Sequence, residues 1–105
     1  MNVDQQYKVI ISDRARRMLV SHIRFMAQVN KEAAKAKKNE IMNAMRSLKQ
    51  MPQRFPFFNE PYITPNKYRK MFVQKRHIVL YQIKDDTVYI DYIIDCHKDY
   101  AWLMN

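Results

Sequence analysis

Glycine is missing from all 105 residues. A phosphate-cradling P-loop, a Gly-rich dinucleotide turn and a nucleophile elbow each depend on glycine at fixed offsets, so all three are excluded. No nucleotide or other small-molecule cofactor is expected. Cysteine is reduced to Cys96 alone. A lone thiol excludes an internal disulfide framework and a Cys-rich zinc site, and it suits a reducing, cytoplasmic setting. No apolar run approaches the ~20 residues that a membrane helix needs. Met1 to Tyr7 is polar and short, unlike a signal peptide. Membrane contact is therefore not expected. His22, His77 and His97 are scattered, with no H-E-x-x-H or Cys/His spacing, so no metal site is expected either. A Ser-His-Asp arrangement has no support in the sequence.

What is present is positive charge. The formal balance is +9, and 48% of residues are apolar. Such a chain folds rather than staying disordered, and its length predicts a single domain over residues 1–105. A small domain this basic points to a polyanionic or acidic partner: nucleic acid, an anionic surface or an acidic protein.

Tyr7 to Ile11 (YKVII) has the apolar pattern of a short strand. Ser12-Asp13 supplies an N-cap and a first-turn acid for a helix to about Val29. Ala15, Met18, Leu19, His22, Ile23, Met26 and Val29 form its apolar stripe. Arg14, Arg16, Arg17 and Arg24 lie mostly off the stripe and read as a solvated face. Asn30 caps a second helix from about Lys31 to Gln50, and Pro52 stops it. With almost nothing between them, the helices form an antiparallel hairpin. Residues 52–65 hold all four prolines together with Phe55, Phe57, Phe58 and Tyr62. Those aromatics read as pins that hold an irregular loop to the core.

Three β-type runs follow back to back: Tyr68 to Val73, His77 to Ile83 and Val88 to Ile94. They predict an antiparallel meander. Its first half is basic, with five Lys or Arg and no acid between Lys67 and His77. Strict alternation would turn Val88, Ile90, Tyr92 and Ile94 toward the helices, and Tyr89, Asp91, Ile93 and Asp95 away from them. The predicted architecture is α+β in the order β-α-α-β-β-β. A helical hairpin covers one face of a small antiparallel sheet, and the other face is left for a partner. The first strand returns to pair with the last or central strand of the meander. Residues Cys96 to Met104 would add a helical turn docking Trp102 or Leu103.

Arg69, Lys75, Arg76, His77, His97, Lys98 and Tyr100 are expected to gather at one end of this sheet. Such a group suits phosphodiester cleavage without a metal: a base for the attacking 2′-hydroxyl, cations for the pentavalent phosphate and a proton for the leaving oxygen. Arg grips phosphate oxygens in bidentate fashion, and His titrates near neutrality. The same cations equally suit a nucleic-acid surface or an acidic protein. His77 itself fits either a functional role or a half-buried strand position. Cys96 reads as a small core residue.

At these residues the sequence resembles the RelE/ParE superfamily of toxins from type II toxin–antitoxin (plasmid stabilisation) modules. The likeness runs through the opening Tyr7 to Ser12 (YKVIIS), Ala15 and Leu19, the helical hairpin, and Tyr68-Arg69-Lys70. It continues through His77-Ile78-Val79-Leu80-Tyr81, Asp85-Asp86-Thr87-Val88 and Asp99-Tyr100 with Leu103. The resemblance implies a toxin neutralised by a cognate antitoxin that wraps it. RelE-like members cut mRNA on the ribosome, and ParE-like members inhibit DNA gyrase. The expected activity is ribosome-dependent mRNA endoribonuclease. Its expected catalytic residues are His77, Arg69, His97 and Tyr100, and Lys67, Lys70, Lys75, Arg76 and Lys98 would contact RNA or a partner. The alternatives are a non-catalytic gyrase inhibitor or an inactive antitoxin-binding member. Many ribosome-dependent members carry Arg where this chain has Ile78.

Overall fold

In a computed structural model that describes residues 5–97, the chain follows the predicted order. Strand β1 (Lys8–Ile11) leads into helices α1 (Asp13–Ala27) and α2 (Lys31–Arg46), and then into strands β2 (Arg69–Val73), β3 (His77–Lys84) and β4 (Thr87–Asp95). The sheet order is β1-β4-β3-β2. The meander is antiparallel, and β1 lies parallel to β4 with Val9 opposite Val88. The sheet is therefore mixed. The first strand pairs with the last, because the helical hairpin carries the chain back across the sheet before the meander begins.

Local chemistry sets the helix ends. The Ser12 hydroxyl accepts from the Ala15 N–H at 3.0 Å and donates to the Asp91 carbonyl. It thereby caps α1 and ties its start to β4. Asn30 caps α2 through the Ala33 N–H. Each such cap contributes about 1 kcal/mol. α2 gives way to a 3₁₀ turn at Ser47–Lys49, and a second at Pro52–Arg54 begins the irregular stretch. The apolar stripe of α1 ends earlier than its sequence suggests. Val29 lies in the interhelical turn and is 87% exposed.

Ala15, Leu19, Ile41, Met45 and Leu48 pack on Met71, Val79, Tyr81, Val88, Ile90 and Ile93 to form the main core. Each large aliphatic residue enclosed there contributes about 1.5–3 kcal/mol. The opposite face is not left open for a partner. Phe58 and Tyr68 close over Ile78, Leu80 and Ile94 in a second, smaller cluster. Phe58 donates its N–H to the Tyr68 carbonyl, and Lys70 donates to the Pro56 carbonyl. The proline-rich loop thus covers both a face and part of the β2 edge.

The strict alternation expected of β4 breaks midway. Leu80 pairs with Tyr92 and Tyr81 pairs with Ile90, which leaves Asp91 as the extra residue of a β-bulge. Val88 and Ile90 face the helices as expected. Beyond the bulge the parity is reversed: Ile93 and Asp95 turn toward the helices, while Tyr92 and Ile94 turn away.

Candidate functional site

β3 places two polar side chains on its helix-facing side, His77 at its start and Tyr81 just past its middle. His77 opens the strand directly opposite Asp95 of β4. Its side chain is fully buried, with Nε2 3.9 Å from Asp95 Oδ2. Leu19 and Ile23 carry α1 over the sheet, and His22 between them brings its ring to a centroid distance of 5.6 Å from that of His77. Neither ring nitrogen of His77 has a hydrogen-bond partner among the described residues. Burial pushes its pKa down to about 4. Asp95 opposes that shift, while His22, Lys37 and Arg76 reinforce it. At neutral pH the imidazole is uncharged.

The predicted cations near His77 are engaged or point outward. Arg76 donates from Nε and Nη2 to Asp95 Oδ2, at 3.3 and 3.2 Å. The exposed His97 gives its backbone N–H to Asp95 Oδ1. Lys75 is exposed on the β2–β3 turn. Lys98 and Tyr100 lie outside the described residues.

Arg69 does not join this group. It pairs with Tyr81, whereas His77 pairs with Val73. Four residues of strand, or about 13 Å, separate the two. The Arg69 guanidinium donates to the carbonyls of Gln53 and Phe55 and stacks 4.0 Å from the Phe57 ring centre. Next to it the Tyr81 hydroxyl donates to the Pro52 carbonyl at 2.6 Å. Burial raises the Tyr81 pKa to about 12, and Arg69 and Arg54 partly counter the shift. The expected gathering of Arg69 with His77 and His97 is corrected by the antiparallel register, which puts the start of β2 beside Tyr81 in the second half of β3. Lys67 is exposed near the Tyr68 ring, and half-buried Lys70 lies 5.9 Å from that of Phe58.

The bulge organises a second polar group on the other face. Asp91 Oδ2 accepts from the Tyr68 hydroxyl at 3.0 Å and from Gln82 Nε2 at 2.8 Å. Burial, followed by this bond and the Asp91 charge, lifts the Tyr68 pKa to about 12. Arg14 stacks 4.1 Å over Tyr92. On the outer side of α1, Arg16, Arg17, Val20, Arg24 and Phe25 line an open concavity of about 580 Å³. Those arginines are exposed, as the sequence indicates, but two apolar side chains lie among them.

His22, Asp91 and Asp95 are the residues that sequence reasoning left out. In the sequence His22 stands in an apolar stripe and among three scattered histidines without metal-ligand spacing. A titratable residue at a core position of a helix was the one available signal.

The family model for the ParE toxin of the type II toxin–antitoxin system parDE matches residues 9–100. Comparison with curated proteins gives no match. Among solved structures, a chain from the chromosomal ParDE TA system of P. aeruginosa shares the fold with a TM-score of 0.70. The two are 14% identical, and the likeness covers 88% of this chain and 98% of that one. With the family model spanning nearly the whole sequence and the β-α-α-β-β-β fold in place, the chain belongs to the ParE toxin family of type II toxin–antitoxin systems.

Proposed function

We propose that this chain is a toxin that acts on DNA gyrase by binding it, without cutting RNA, and that a cognate antitoxin neutralises it. The observation that carries the choice between binding and cleavage is the placement of His77. Metal-free RNA cleavage needs a base and a proton donor within reach of a bound phosphodiester. His77 is enclosed in the core and Arg69 is about four strand residues away, held by backbone carbonyls. Membership of the ParE rather than the RelE branch points the same way, because gyrase inhibition is what that likeness implies. The exposed cations Lys67 and Lys75, with Arg16, Arg17 and Arg24 on α1, are then available to contact a partner rather than to perform chemistry.

The test is a supercoiling assay with purified gyrase, run beside mapping of mRNA 5′ ends after expression without antitoxin. Inhibited supercoiling with intact mRNA is the expected result. Unimpaired supercoiling together with ribosome-dependent cleavage would restore the ribonuclease expectation.

A further inference from the structure

We propose that His22, His77 and Asp95 form a binding site for a divalent transition-metal ion of the zinc type, clipping α1 to the ends of β3 and β4. Their nearest donor atoms all lie within 4.8 Å of one another, and all three side chains are buried. Each comes from a different element, so sequence spacing gives no hint of the grouping. The decisive residue is His77, which is fully buried between the other two with neither ring nitrogen partnered among the described residues. A buried polar side chain without a partner costs about 1–3 kcal/mol. Metal ligation turns that cost into a bond.

Donor chemistry selects the ion. Two imidazoles and one carboxylate suit Zn²⁺ or Co²⁺, whereas Mg²⁺ and Ca²⁺ demand oxygen-rich sites. Bonds of about 2.0–2.1 Å in a tetrahedron place ligand atoms roughly 3.4 Å apart. The three groups therefore close by about 1 Å or slightly more, within reach of side-chain rotation. A water would take the fourth position. Arg76 donates from Nε and Nη2 to Asp95 Oδ2, and the His97 N–H donates to Oδ1. These donors hold the carboxylate in place, as supporting groups around metal ligands generally do. Arg76 also lines a concavity of about 220 Å³ beside Met26 and Asn30.

The full-length chain, stripped with chelator and dialysed, would be titrated with Zn²⁺, with Co²⁺ and with Mg²⁺ as the control. One Zn²⁺ per chain is expected, with a rise in Tm of roughly 10 °C at a hundredfold excess over Kd. Co²⁺ should show the intense visible absorption of a tetrahedral site, and Mg²⁺ should do nothing. His77→Leu and His22→Gln should each weaken Zn²⁺ binding at least tenfold. The Co²⁺ spectrum of the unsubstituted chain decides the matter even if a variant fails to fold. A silent Co²⁺ spectrum with an unmoved Tm overturns the site. So does wild-type affinity in a folded His77→Leu chain, which would place the ion elsewhere.

Discussion

The two halves of β3 bury polar side chains on the same face of the same sheet, yet they resolve the cost of burial differently. In the second half the Tyr81 hydroxyl reaches the Pro52 carbonyl. Its ring fills the core beneath the 3₁₀ turn that starts at Pro52, so one side chain supplies both volume and a satisfied donor. At the start of the strand His77 has the same burial but no such bond among the described residues. Its surroundings are two more titratable side chains, His22 and Asp95. Tyr81 therefore reads as a structural residue whose polarity anchors a loop. His77 is a residue whose polarity the fold itself does not use.

The largest expected effect lies at the Tyr81 end. Tyr81→Ala removes a fully buried aromatic and its bond together, and should cost about 3–5 kcal/mol in denaturant unfolding. Tyr81→Phe keeps the ring and strands the Pro52 carbonyl, at about 1–3 kcal/mol. Equal losses in the two variants would show that the bond, rather than the ring, holds this end.

Alkaline pH tests the same end without changing the ring. The Tyr81 pKa is raised from the ordinary 10.0 to about 12, so the folded state holds the proton more tightly than the unfolded chain does. That difference contributes about 3 kcal/mol. The contribution is complete below pH 10 and is lost progressively as pH rises from 10 to 12. Unfolding measured across this range should show a steeper fall in stability for the unsubstituted chain than for Tyr81→Phe. Tyr68 supplies a second, parallel fall in both proteins. Identical slopes would mean that Tyr81 ionises as freely in the folded protein as in the unfolded one.

At the His77 end the expected sign is opposite. With metal removed by chelator, His77→Leu replaces an unpartnered imidazole by an apolar group of similar size and should raise stability by about 1 kcal/mol. Toxicity should be unchanged under the binding reading. A loss of stability in the metal-free protein would mean that His77 has a hydrogen-bond partner in solution, and the contrast with Tyr81 would then collapse.

Much of this contrast was not written in the sequence, for reasons that can be placed at particular residues. The element order was legible because Ser12 and Asn30 cap their helices and Pro52 halts the second. Each meander strand is also a compact β-branched and aromatic run. The face assignment of β4 was not. Val88, Ile90, Tyr92 and Ile94 alternate cleanly, and Ile93 beside Ile94 lets either face be apolar. The bulge at Asp91 therefore leaves no trace in the pattern. Asp95 consequently ends in the core beside His77 rather than on the opposite face. The distance between Arg69 and His77 follows from strand register, which basic composition cannot encode. Nor can it encode the height at which α1 crosses the sheet, and that height alone brings His22 to His77.

The smallest effect concerns the turns that bracket β3, and it returns to the missing glycines. Gln74 leads into the strand at φ 59°, and Asp85 leads out of it at φ 56°. Both occupy the left-handed region, which costs a residue with a Cβ about 1 kcal/mol. Asp tolerates this region better than Gln does, because its short side chain can bond locally. Gln74 has no such recourse. Gln74→Gly should therefore stabilise by about 0.5 kcal/mol, since relief of the left-handed strain exceeds the extra freedom gained by the unfolded chain. Asp85→Gly should change stability by less. Tm values for the two variants, measured side by side, check the ordering. A larger gain at Asp85 would show that the strain lies at the Tyr81 end of the strand rather than at the His77 end.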